Sequence, residues 1–161
     1  MTLPPLPSGE QVMVVTNGVI LNVRGLDRLD LLDIAADRLV LWTKGNAQEL
    51  LNNMQRPGGQ TGRELEFYLA GNVEIRSHQN GEDRLIRADE VYYDAYRNAA
   101  LALNADLEFK QPGLPDPVHM QARELHQLSL EKFEGLETRI FSSRTPGDPG
   151  LTVVFANATL E

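Results

Sequence analysis

Three aspartates (Asp37, Asp89, Asp94) and three histidines (His78, His119, His126) are the residues of this 161-residue chain best suited by type to catalysis or metal binding. Two carboxylates held close together could divide acid and base roles, as in glycoside hydrolysis. These aspartates recur with a sequence repeat, however, and repetition favours a structural role over one special site. The histidines are scattered, with no pair at metal-ligand spacing and no flanking carboxylate pattern. Ser129, Ser142 and Ser143 stand in no nucleophile elbow and have no paired histidine. There is no cysteine, which excludes disulfides, thiolate metal sites and cysteine nucleophiles. No phosphate-binding loop or dinucleotide fingerprint occurs. The sequence therefore predicts neither an enzyme nor a cofactor or metal.

Charge narrows the class of partner. Lys and Arg number 15 against 23 Asp and Glu, a formal net charge of −8. Nucleic-acid binders need a basic face to displace counterions, so that class is disfavoured, as is docking on anionic lipid surfaces. No apolar run is long enough for a transmembrane helix. The opening "MTLPPLPSGEQ" reads as a flexible lead-in over residues 1–11, without the features of a secretory signal. The end, "VVFANATLE", stops inside an apparent strand, which suggests a domain excised from a larger protein whose export signal lies elsewhere.

From residue 12 to 161 the chain reads as a single domain dominated by alternation of period two. Val19, Leu21 and Val23 share one face of "NGVILNVR", and Val73 and Ile75 share one face of "GNVEIRS". In "ALALNADLEF", Leu101, Leu103, Ala105, Leu107 and Phe109 alternate with polar positions and read as one face. Asn80-Gly81 predicts a tight hairpin turn. Residues 44–64 break the pattern and read as an insertion, part helical or disordered, with Asn46 as a possible helix cap. "LSLEKFEGLETRIF" reads as two strands around Gly135.

One anomaly repeats. "DIAADRLVLW", "LIRADEVYYD" and "HMQARELHQL" each change apolar parity just after a small residue: Ala36, Ala88 and Ala122. A second unit alternates with the first: "TNGVIL", "AGNVEI", "LNADLEF" and "ANATLE". A parity change in a half-buried sheet means a β-bulge. Bulges at one level in adjacent strands fold the sheet along a line. The expected fold is all-β: a bent antiparallel sheet of repeated hairpin-like units, ten to fourteen strands in all.

Gly71-Asn72-Val73, the Asn80-Gly81 turn, Ala88-Asp89 and Tyr93-Asp94 together resemble the OstA-like family of lipopolysaccharide-transport proteins. That family includes LptA and the N-terminal periplasmic domain of LptD. The likeness is best from Phe67 to Phe109 and recurs from Thr16 to Trp42 and from Val118 to Glu161. It implies a β-jellyroll or "β-taco" whose apolar interior shelters lipid acyl chains and whose end strands pair with neighbouring modules or with a second copy. It also implies a periplasmic location in outer-membrane assembly. On this view Val19, Leu21, Val73, Ile75, Leu101, Leu103 and Phe109 line the lipid groove. Ala156, Asn157, Ala158, Thr159 and Leu160 form the pairing edge. Two other readings compete: a packed module that acts only by edge pairing, and a carbohydrate-binding β-solenoid. The latter expects exposed aromatics and carboxylates on one face, a cluster the sequence does not display.

Overall fold

The computed structural model describes residues 3, 7, 9–26, 29–44, 65–79, 82–94, 97, 99–110, 113–129, 132–144, 147 and 150–160, the side chains of 23–26, 29–32, 79 and 82 excepted. Among these residues the chain forms one antiparallel sheet of ten strands that does not close on itself. The strands are β1 (Glu10–Val15), β2 (Val19–Leu26), β3 (Leu29–Ala36), β4 (Arg38–Lys44), β5 (Leu65–Gln79), β6 (Glu82–Asp94), β7 (Ala99–Phe109), β8 (Val118–Gln127), β9 (Phe133–Ser142) and β10 (Thr152–Leu160). The sheet order is β1-β4-β5-β6-β7-β8-β9-β10, with β2 joined to β3 and β3 to β5.

That branched order describes a folded sheet. One leaf carries β1 and β4, the other β2 and β3, and β5 to β10 run through both. β1 and β2 are two halves of one bent pass, separated by Asn17 and Gly18 (φ 71° and 96°). β3 and β4 are likewise separated at Asp37, whose carbonyl accepts from Gly18 N at 3.0 Å and whose N–H donates to Gly71 O at 2.9 Å. Ten strands thus make eight bent passes.

The crease follows the residues where parity changes. In β5, Gly71 and Asn72 stand opposite Asp89 alone, because Ala70 pairs with Glu90 and Val73 with Ala88. Two residues against one is a β-bulge. Further on, the ladders stop and resume around Asn104, Arg123 and Glu137 without changing register. Asn72, Asn104 and Glu137 all have positive φ, of 47°, 50° and 51°. Asparagine enters that region at lower cost than most residues, so Glu137 is the costly member of the set. Side chains tie the crease across strands. Asn72 Nδ2 donates to Asp37 Oδ2 at 2.9 Å and Asn104 Nδ2 to Asp89 Oδ2 at 2.7 Å. In the third copy the charges change type, with Arg123 Nη1 3.3 Å from Glu137 Oε1. The two-unit repeat is therefore a bonding pattern: a positive-φ residue on one pass reaches back to the Asp or Arg on the pass before it.

Directly paired residues share a face of an antiparallel sheet. In the leaf of β2 and β3, Leu21, Ile34, Ile75, Ile86, Leu107, Met120, Ile140 and Val153 form one continuous cross-strand row. In the other leaf Val15, Leu39, Leu69, Val91, Ala102, Leu125, Gly135 and Ala158 form its counterpart. The two rows turn inward and pack into one core, with Leu69 and Leu107 fully buried. Gly135 lets the leaves approach: a Cβ there would meet Thr138 Oγ1 and lie 2.7 Å from Met120 Cε.

Thr138 itself is 0% exposed, and among the described residues its Oγ1 has no hydrogen-bond partner. A buried orphan hydroxyl costs about 1–3 kcal/mol of desolvation. Thr138→Val should therefore raise stability by about 1 kcal/mol in a denaturant titration, and a loss of stability would mean the hydroxyl is bonded after all.

Several expectations change here. β1 starts at Glu10, inside the segment read as a lead-in, and Leu3 N donates to Val12 O at 2.9 Å. The region around Gly135 is one strand, β9, bent at Glu137 rather than two strands. Gln79 pairs with Glu82, so Asn80 and Gly81 span a two-residue connection, although both lie outside the described residues. The predicted insertion begins at Lys44, the last residue of β4, and its remainder, 45–64, also lies outside them.

Candidate functional site

The residues singled out for chemistry are dispersed. Asp37 and Asp89 belong to the crease. Asp94 is 7% exposed and accepts from the Arg97 backbone N–H at 3.0 Å, closing the turn after β6. His78 pairs with Asp83 at 2.7 Å, and His126 lies 3.5 Å from Glu124. His119 is 1% exposed on the outer face, stacked on Phe141 with ring centroids 5.0 Å apart. Its Nδ1 lies 3.0 Å from Asp106 Oδ1 and its Nε2 3.1 Å from Ser143 O. That arrangement fastens the chain after β9 to the sheet. Arg144 pairs with Asp116 in the same region. The only signal for His119 in the sequence is its place one step off the interior row, beside Met120. Among the described residues no group of three His, Cys, Asp or Glu is placed to hold a metal ion.

Of the seven predicted groove residues, five face the interior. Val19, Leu21 and Val73 are buried in it, and Ile75 and Phe109 pack half-buried against it. Leu101 and Leu103 do not. Leu101 pairs with Tyr92 and Leu103 with Glu90, while their neighbour Ala102 pairs with Val91 and enters the core. The cause is Asn104, whose positive φ flips the pattern between Leu103 and Ala105. Leu101 and Leu103 are outer-face residues and leave the set.

The outer face around them gathers what the sequence scatters. Tyr68 pairs directly with Tyr92, and Trp42 with Glu66 on the adjoining row. Tyr92 Oη donates to Glu66 Oε2 at 2.5 Å. Two tyrosine rings and their carboxylate acceptors thus share one patch of the outer face. The Glu66 carboxylate, with burial adding to it, pushes the Tyr92 phenol from 10.0 up to about 12, and a bond to Glu90 raises Tyr68. The neutral phenol is the form the fold favours, so this contribution is present below pH 10 and fades as pH rises towards 12. Glu66→Gln should return the Tyr92 transition in a tyrosinate absorbance titration towards 10. An unmoved transition would remove Glu66 as its cause.

The last strand is the open end of the sheet. β10 pairs with β9 on one side, and the sheet order ends there. Its inward residues Val153 and Phe155 are 48% and 39% exposed, and outward Val154 is 75% exposed. The predicted pairing edge, Ala156 to Leu160, lies in β10, but the larger apolar surface precedes it. One sequence grouping is corrected too. "ANATLE" does not belong with the positive-φ unit: Asn157 pairs regularly with Leu136 and the ladder skips Ala156. Ala156 stands where earlier passes place Asp37, Asp89 and Arg123, so the last crease position offers no side-chain bond.

Apolar rows inside a creased sheet and a final strand with one open edge define a class: an open, folded-over antiparallel sheet of the β-taco or jellyroll type. No protein-family model and no curated protein matches the chain. Among the described residues no helix is long and apolar enough to cross a membrane.

Proposed function

We propose that this chain is a non-catalytic lipid-handling module of the cell envelope. It would serve lipopolysaccharide transport or outer-membrane assembly in the periplasm, sheltering acyl chains between the two leaves and pairing its edge with a neighbouring module. One observation carries the reading. The aliphatic interior row runs to a strand paired on one side only, where Val153 and Phe155 face inward yet remain exposed. A long apolar edge is normally an aggregation hazard, and a protein keeps one where a partner strand covers it. The partner class is another sheet of the same kind, or a second copy, able to continue both leaves. Acyl chains would enter where the interior is half-buried, at Ile75, Ile86, Phe109 and Ile140, gaining about 0.8 kcal/mol per buried CH₂. The resemblance to the OstA-like family points the same way. The test is organic extraction of the purified protein followed by mass spectrometry. Stoichiometric acyl lipid is the expected result, and lipid-free protein that also fails to take up added lipid counts against it.

A second reading keeps the edge and drops the lipid. Leu69 and Leu107 are fully buried and residues of both leaves meet directly, as in an interior filled by its own side chains. The module would then act by strand pairing alone, and lipid-free protein that still associates through β10 would decide for it.

A further inference from the structure

Along the outer side of the crease, where it reaches the open edge at β10, lies a furrow of about 730 Å³. One wall is the crease itself, with Asn104, Arg123, Glu137 and Ala156. The other is the adjoining outer row, in which Gln121 pairs with Asp106 and Arg139, and Arg139 with Val154. On each pass the inward residue between the two walls supplies the floor, as buried Ala122 and Thr138 do.

Four charged side chains stand in these walls, and three of them are engaged within the fold. Arg123 and Glu137 pair with each other at 3.3 Å, and Arg123 also lies 3.5 Å from Glu124. Asp106 lies 3.0 Å from His119 Nδ1 and accepts from Gln121 Nε2 at 2.9 Å. Arg139 is the exception. Its Nε donates to Gln121 Oε1 at 2.6 Å, which fixes the guanidinium on the outer face. Among the described residues its two terminal amino groups have no partner. The neighbouring strand cannot supply one, because "TVVFANATL" holds no charged residue. Paired guanidinium donors take a carboxylate in a two-pronged geometry. In a protein of net charge −8, an exposed arginine without an acid, one strand in from an open edge, is out of pattern.

Ala156 gives an acid its path to Arg139. Each crease tie runs from a positive-φ residue back to the pass before it, from Asn72 to Asp37, Asn104 to Asp89 and Glu137 to Arg123. A strand laid on β10 would find only the methyl group of Ala156 at that place, with the furrow open beyond it. Two strand spacings are about 10 Å, a span that a glutamate and an arginine side chain cover together.

We propose that the strand pairing with β10 carries a carboxylate at its crease position, received by Arg139, and belongs to a different chain rather than to a second copy. The proposal rests on the edge-pairing part of the function above and adds the chemistry of the partner. In a second copy the first pass would continue the sheet, and its crease residue is Gly18, which stands before Val19 as Asn72 stands before Val73. Neither Gly18 nor its neighbour Asn17 offers an acid.

Fluorescence anisotropy with labelled peptides spanning Gln11–Asn22 tests this, using the native sequence, Gly18→Glu and Gly18→Gln against the parent protein, Arg139→Gln and Arg76→Gln. The Gly18→Glu peptide should bind the parent about fivefold more tightly than the Gly18→Gln peptide. That preference should vanish in Arg139→Gln and persist in Arg76→Gln, which removes a distant charge from the same outer face. The Gly18→Gln peptide should bind all three proteins alike, which also shows that the variants are folded. Tightest binding by the native peptide overturns the proposal in favour of a second copy. A glutamate preference that is absent, or that survives in Arg139→Gln, overturns the assignment of Arg139 and leaves edge pairing standing. Binding by none of the peptides overturns both.

Discussion

Gly71→Val is expected to destabilise the fold by about 3 kcal/mol, enough to unfold a domain of ordinary stability at moderate temperature. Two costs add. Gly71 has φ 78°, a region that costs a residue with a Cβ about 1–2 kcal/mol. A Cβ would also meet Asp37 Oδ2 and lie 3.0 Å from the Asp37 Cβ and Cγ. Asp37 cannot retreat freely, because its carboxylate holds Asn72 and its N–H is bonded to Gly71 O. Gly113→Ala is the control: its φ is 89°, but among the described residues nothing lies within 4 Å of the added atom. It should pay the conformational cost alone, about 1 kcal/mol. Denaturant melts of Gly71→Ala, Asp37→Ala and the double variant should be non-additive, with Asp37→Ala recovering part of the loss. Strict additivity would separate the two residues and remove the crease bond as the reason for the glycine.

A proline in β10 has the other large effect expected, on association rather than folding. Successive amide N–H groups of a strand point alternately to its two sides, so one of Val153 and Val154 presents its N–H to the open edge. Proline removes that donor, and in an edge strand it leaves the remaining ladder largely intact. Of Val153→Pro and Val154→Pro, the one at the open-edge position should weaken concentration-dependent association more than tenfold in sedimentation velocity, with little change in melting temperature. The other should lose stability, because it breaks the bond to β9. Association unchanged in both variants would mean that β10 is not the contact surface.

The crease was legible where its surroundings discriminate between faces. Around Ala36-Asp37, Ala88-Asp89 and Ala122-Arg123 one face is apolar and the other charged, so a change of parity is visible in the sequence. In β7 the same event left no trace. Leu101, Leu103, Ala105 and Leu107 alternate without interruption, yet Asn104 turns the first two outward. Ala100 and Ala102, small enough to read as neutral, supply the inward face. The aromatic and carboxylate cluster of the outer face was hidden for a related reason. Trp42, Tyr68 and Tyr92 come from three strands, and only the register of β4, β5 and β6 brings them together. "ANATLE" misled because its Asn-Ala repeats the spelling of Asn104-Ala105 on a pass that runs the other way.

Photo-crosslinking from inward and outward positions tests the sheltering of acyl chains most directly. A photoreactive residue at Ile75 or Phe109 should capture lipid, and the same residue at Leu101 or Leu103, on the outer face of the same sheet, should not. Equal capture from all four positions, or none from Ile75 and Phe109 while a control lipid-binding protein crosslinks efficiently, would contradict it.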